Sequence, residues 1–390
     1  MAELPTRPLH GFRILDFSAM IAGPYCTRWL ADMGAEVIKV EPPEGESMRA
    51  SMPMRDGHST YFAHLNAGKR AIALDLKNPL AVDAARRLVR DSDVLVENFR
   101  PGVMKRLGLD YATVRELNPR LVYCSISGYG QQGDKSARPS YAPIVQAASG
   151  YEMAQFSFQD DLTQPANSGL FPADILASCY ATMAIQAALL QRSRTGLGQH
   201  LDVGLMESIL SVMIYEFQEA QFPSLKRKHL YVPMKARDGF VIVAPITQRN
   251  FENLCDALGH PEWKSDPRLV DTLARREHWD YFMELIRRWT IERSAEQCET
   301  ELLAAGVPCS RYATVADLLA DPHFRQRGSF GRVHDAAGEF LVQNLPFRMS
   351  GAVNDVGATV PGIGEHTRDV LRELAGLGDE AIDRLVPPGR

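Results

Sequence analysis

The residue best placed by sequence for covalent chemistry is Asp174, in GLFPADILASCYATM, at the opening of a long apolar-periodic stretch. An aspartate there has two readings that can coexist. It can cap the helix, its carboxylate accepting backbone N–H bonds. It can also be a nucleophile or base, because a carboxylate at a helix N-terminus is expected to stay ionised at neutral pH.

A second group lies in VENFRPGVMKRLGLDY, where Asn98 and Phe99 leave a strand end and Arg100, Lys105 and Arg106 follow through a Pro-Gly turn into a helix start. Basic side chains beside free backbone N–H groups make a phosphate-binding corner. The same residues also read as a solvated basic helix face. Lys69, Arg70 and Lys77 flank the strand-like AIALDL, and each alone is unremarkable. The run Ser127 to Gly133, SGYGQQG, is followed by Arg138 and Tyr141; it lacks Walker A or dinucleotide spacing and reads as a turn. No GxSxG elbow or HExxH helix occurs, and His10, His58, His64, His200 and His260 are scattered as surface or core histidines usually are. The six cysteines form no CxxC pair and no zinc-spaced cluster, so no metal site is expected and the thiols read as reduced and buried.

The elements that must hold these residues follow from chain order. FRILDFS, a Gly-Pro turn at Gly23 and Pro24, CTRWLADMGA and EVIKVE read as strand, turn, helix, strand, with Gly34 as the helix stop. The unit recurs in RAIALDL, NPLAVDAARRLVRDS and DVLVENF, and again in LVYCSISGYG. Such alternation predicts an α/β protein with a mostly parallel, doubly wound sheet whose ligands sit at the carboxyl ends of the strands. The pattern loosens into a basic, Pro-containing link at QFPSLKRKHLYVP. Four segments are expected: a large Rossmann-like domain over 1–218, a linker over 219–234, a smaller alternating α/β domain over 235–324, and a return to the large domain over 325–390.

With 390 residues, 45% hydrophobic and 23% charged, the chain has globular proportions and length for two cored domains. A net charge of −5 argues against a nucleic-acid surface, so any phosphate-bearing ligand must be held by a local cluster. The opening MAELPTRPLHGFRILDF carries no basic segment followed by an apolar stretch, and no apolar run reads as long enough to span a bilayer. A cytoplasmic protein without a membrane partner is expected.

Taken in order, LHGFRILDFSAMIAGPYCTRWLADMGAEVIKVEPP, YFAHLNAGKRAIALDLK, DVLVENFRPGVMKRLGL, LNPRLVYCSISGYGQQG, YAPIVQAASG, the Asp174 helix, GLGQHLDVGLMES, GVPCSRY and PGIGEHTRDVL resemble the class III CoA-transferases, the formyl-CoA transferase and carnitine dehydratase-like family. The resemblance spans nearly the whole chain. It implies a Rossmann-like large domain built from both chain ends, a small domain between, and an interlocked homodimer. It also implies CoA thioesters and small carboxylic acids as substrates, with no tightly bound cofactor. The family's nucleophilic aspartate falls on Asp174. Its CoA contacts fall on Met20, Ile21, Ala22, Leu74, Lys77, Asn98, Phe99, Arg106 and Leu107, and the tyrosine near the acyl group falls on Tyr141. Two departures stand out. Pro42 replaces a basic residue that often contacts the nucleotide end, and the Gly-rich lid of oxalate-specific members is missing between Glu219 and Met234.

The implied chemistry is transfer of CoA through a covalent aspartyl intermediate. Lys135 and Arg138 beside Tyr141 would suit a small dicarboxylate acceptor with succinyl-CoA as donor, although solvated surface charges are the plainer reading. Two rivals remain. An α-methylacyl-CoA racemase would need a histidine where Tyr141 stands, and a phenol is a poor base at neutral pH. A non-catalytic CoA-binding protein would have no use for Asp174.

Overall fold

The computed structural model describes residues 7–159, 161–166, 169–223 and 231–386. The chain divides into two compact units, one of residues 1–223 with 325–390 and one of residues 224–324.

The larger unit is built on six strands, β1 (Arg13–Asp16), β2 (Glu36–Glu41), β5 (Arg70–Ala73), β6 (Val94–Glu97), β7 (Val122–Ser127) and β8 (His200–Gly204). A two-stranded hairpin, β3 (Met54–Arg55) with β4 (His58–Ser59), lies outside this sheet. The sheet order is β5-β2-β1-β6-β7-β8, and every neighbouring pair is parallel. The inner strands β2, β1, β6 and β7 are rich in Val, Ile and Leu and buried on both faces, as a parallel sheet covered by helices requires. Chain progression reverses between β1 and β6, which opens a crevice at their carboxyl ends.

Among the described residues of the N-terminal segment these strands are accompanied by α1 (Ala22–Asp32), α2 (Thr60–Asn66), α3 (Pro79–Arg90), α4 (Val103–Leu107), α5 (Tyr111–Leu117), α6 (Ala142–Ala148), α7 (Tyr151–Phe158), α8 (Pro172–Thr195), α9 (Leu205–Leu210) and α10 (Ile214–Gln221). One core joins α1 and α8 to the sheet through Cys26, Leu30, Ala177, Ala181 and Ile185. On the other face α3 and the helix Thr367–Glu373 share a second core, in which Val370 and Leu371 join Leu15 and Ile38. Gly34, at φ 101°, ends α1, and a Cβ there would strike the Arg7 side chain at 2.3 Å.

Helix α8 corrects one expectation. Its 24 residues are long and apolar enough to cross a membrane by length and composition. In the fold its small residues pack against α1.

In the second unit β9 (Met234–Lys235), β10 (Phe240–Val243) and β11 (Cys309–Arg311) form an antiparallel sheet in the order β11-β10-β9. This differs from the alternating unit expected. The physical reason is the tight turn closed by Ala236 N–H to the Gly239 carbonyl at 2.9 Å, which folds β9 straight back on β10. Helices α11 (Gln248–Ala257), α12 (Thr272–Glu277), α13 (Trp279–Thr290) and α14 (Ala295–Ala304) accompany it, and Phe251, Phe282, Ile286 and Leu302 are among its core residues. The expected linker over 219–234 is too wide, since Glu219 to Gln221 finish α10 and Met234 pairs within the sheet; residues 224–230, where the missing lid would fall, lie outside the described residues.

Residues 325–386 rejoin the larger unit through the hairpin β12 (Phe330–Asp335) with β13 (Gly338–Gln343) and the helix already named.

Candidate active site

The loop from β1 into α1 rests on buried charges. Asp16, at the end of β1, accepts hydrogen bonds from Ser18 N (2.9 Å), Ser18 Oγ, Thr27 Oγ1 (2.6 Å) and Lys69 Nζ (2.9 Å). Burial would raise its pKa, but Lys69, Lys39 and these hydroxyls overcome that and hold it at about 2. Burial pulls Lys69 down to about 8 despite Asp16, so both are charged at neutral pH. Lys39, in the middle of β2, donates to the Ser18 carbonyl at 3.0 Å and lies 2.7 Å from Glu46 Oε1. Glu41 holds Arg49 through two bonds of 2.8 and 2.6 Å.

Asp174 lies in the first turn of α8 but is not its cap. Phe171 is the N-cap, Pro172 opens the helix, and Asp174 is the third helical residue. Its carboxylate makes no hydrogen bond or ion pair among the described residues. Burial pushes its pKa up to about 7, so the carboxyl is only partly ionised at neutral pH rather than fully, as expected from its place at a helix end. Tyr61 stands within its electrostatic reach, for burial and then the Asp174 charge both raise the Tyr61 phenol.

Two cavities flank the β1–α1 loop. One of about 470 Å³ borders the start of α8, lined by Ile21, Tyr25, Thr60, Tyr61, His64 and Ile175, with Phe340, Leu341 and Val342 of β13 opposite. Tyr25 Oη lies 3.4 Å from His64 Nε2, and burial, aided by Arg28, keeps that imidazole neutral by lowering it to about 4. The other, of about 290 Å³, lies over the carboxyl ends of β1, β2 and β5 and is lined by Phe17, Ala19, Glu46, Leu74, Lys77, Phe99 and Leu107. Ala19 faces one cavity and Ile21 the other, so Met20 is the step between them.

The fold therefore gathers most of the sequence candidates. Leu74, Lys77, Phe99 and Leu107 share the second cavity, Ile21 lines the first, and Ala22 begins α1, buried. Asn98 spends both ends of its amide on Ala19, accepting from its N–H (2.9 Å) and donating to its carbonyl (2.7 Å), so it braces the loop. Arg106 is exposed on α4 and lines neither cavity. Tyr141 is the N-cap of α6, 61% exposed, and also lines neither; Lys135 and Arg138 are exposed too. Pro42 borders the second cavity.

Sequence reasoning passed over Asp16, Lys39, Glu46 and Tyr61, and read His64 only as an ordinary surface or core histidine. A signal existed for Lys39: a lysine between Ile and Val in a strand buried on both faces needs an anionic partner. The six cysteines are free thiols, and no group of metal-ligating side chains occurs among the described residues.

A family model for CoA-transferase family III matches residues 9–367. Among curated proteins, a succinyl-CoA–D-citramalate CoA-transferase of Chloroflexus aurantiacus is 35% identical, covering 98% of this chain and 98% of its own. A succinate–glutarate CoA-transferase of Agrobacterium fabrum is 34% identical over 100% of each. Among solved structures, a CaiB/BaiF family protein of Brucella suis is 31% identical with a TM-score of 0.84, covering 95% of this chain and 100% of its own.

Proposed function

This chain belongs to CoA-transferase family III, and from that premise we propose that it moves CoA from an acyl-CoA thioester to a free carboxylic acid with Asp174 as the covalent carrier. The observation that carries this reading is the pair of cavities separated by one loop, one of them lined by Tyr61 and Ile175, the electrostatic and chain neighbours of the Asp174 carboxylate. Such an arrangement suits a ligand whose nucleotide and reactive ends are gripped apart, because remote binding then holds the sulfur in place for its return.

In the first step an Asp174 oxygen bonds to the thioester carbonyl carbon and the C–S bond breaks, giving a mixed anhydride and CoA thiolate. The thiolate then attacks the aspartyl carbonyl, releasing the donor acid and leaving an aspartyl-CoA thioester. An acceptor carboxylate attacks that carbonyl and expels thiolate, which finally attacks the acceptor's acyl carbon and restores the Asp174 carboxylate. Each tetrahedral intermediate needs oxyanion donors and exclusion of water. Apolar side chains around the first cavity serve the second need.

Relatives named for succinyl-CoA or succinate make succinyl-CoA the donor to try first. Exposed Met183, Leu190, Ile214, Phe217 and Phe222 on and near α8 and α10 support a homodimer, interlocked in this reading, which light scattering would test. The free thiols suit the cytoplasm. Replacing Asp174 by Ala should leave folding and CoA binding intact and abolish transfer; retained turnover would reject the carrier role.

A further inference from the structure

Met20 occupies the left-handed region at φ 65°. For a side chain without local hydrogen-bonding groups this costs about 1–3 kcal/mol and persists only where the surroundings hold it. Three side chains do so, buried Lys39 and Glu46 and half-buried Asn98. Lys39 takes the Ser18 carbonyl at 3.0 Å, and Asn98 brackets the Ala19 peptide at 2.9 and 2.7 Å. Glu46 Oε2 accepts the Met20 N–H at 2.9 Å while its Oε1 lies 2.7 Å from Lys39 Nζ. Glu46 is 7% exposed and Lys39 0%, so this link is shielded from water and from screening by salt.

The next three N–H groups, of Ile21, Ala22 and Gly23, donate to no acceptor among the described residues, as befits the first turn of a helix. Ser178 Oγ lies 2.8 Å from both the Ala22 and the Asp174 carbonyl oxygens, which fixes this helix start against that of α8.

We propose that Glu46 is a positioning residue for acyl transfer: by holding the Met20 peptide in its left-handed turn, it sets the free N–H groups of Ile21 and Ala22 where the oxyanion forms on attack by Asp174. The role rests on the covalent reading above. Glu46 touches neither reacting atom but lines the cavity assigned to CoA, so removing it should slow the acyl step by a larger factor than it weakens CoA binding.

Two measurements test this. Amide hydrogen exchange at the Met20 N–H should accelerate about tenfold or more in Glu46→Ala and less in Glu46→Gln, which keeps an acceptor. In parallel, trapping of the Asp174 acyl group at saturating succinyl-CoA with hydroxylamine should slow roughly 10- to 100-fold in Glu46→Ala, a larger factor than any rise in the Kd for CoA, with Glu46→Gln recovering part of the rate. Equal trapping rates in the unaltered protein and Glu46→Ala, or unchanged Met20 exchange, would overturn the role of Glu46 alone. Absence of any Asp174 adduct in the unaltered protein would instead remove the covalent reading on which it depends.

Discussion

The carbonyls of Ala22 and Asp174 meet on one hydroxyl, Ser178 Oγ, 2.8 Å from each. The residues are far apart in sequence, yet a single side chain one turn along α8 fixes the start of α1 against the start of α8. That contact fixes the start of α1, and with it the braced loop, against the turn of α8 that carries Asp174.

Reactivity should depend on pH through Asp174. Burial pushes its carboxyl up to about 7, and only the carboxylate is nucleophilic. With succinyl-CoA as donor, kcat/KM should therefore rise with pH, pass half its plateau near pH 7 and level off above. A profile flat from pH 5 to 8 would mean that the carboxylate is ionised throughout and that the desolvation described above is offset in solution.

The same burial sets a stability cost. A carboxyl whose folded value lies above its unfolded value of about 3.9 binds more protons in the native state, so stability falls as pH rises between the two values. Asp174→Asn should accordingly be more stable than the unaltered protein at pH 8, by up to ~4 kcal/mol, with the gap closing toward pH 4. Urea denaturation at several pH values measures it, and a variant equally or less stable at pH 8 contradicts it.

Lys69 is the counterpart case. Asp16 is held at about 2 by Lys69 and Lys39 against the pull of burial, so its folded value lies below the unfolded one. It contributes stability that is present above about pH 4 and lost as pH falls toward 2. Lys69→Met leaves that buried charge short of a partner and should cost about 3–5 kcal/mol at neutral pH, read by chemical denaturation. A loss under about 1 kcal/mol would show that Lys39 alone suffices.

Asn98→Ala frees both groups of the Ala19 peptide. A stability loss of about 1–3 kcal/mol is expected, together with a raised KM for acyl-CoA, because Ala19 lines the cavity assigned to CoA. Unchanged steady-state kinetics would separate this brace from substrate binding.

Local patterns carried the strand-helix alternation of the larger unit because buried parallel strands and capped amphipathic helices leave periodic signals. They carried the type of residue at Asp174 as well, but not its place. Pro172 was the overlooked sign, since proline favours the first helical position and so puts Asp174 inside the helix. The brace around Met20 was not legible, because Asp16 with Lys69 and Lys39 with Glu46 meet only when three strands and two loops come together. The antiparallel sheet of the second unit escaped for a related reason: short strands between helices look alike whether the chain turns back at once or crosses over. Tyr141 and Arg106 were carried by resemblance, and neither lines the two cavities.

The most direct measurement follows oxygen. In the covalent route the acceptor leaves one of its carboxylate oxygens on Asp174 each time CoA passes to it. Turnover with succinyl-CoA and an acceptor acid carrying heavy oxygen should therefore yield a labelled Asp174 peptide by mass spectrometry, with no label elsewhere. An unlabelled peptide after many turnovers would contradict the aspartyl carrier.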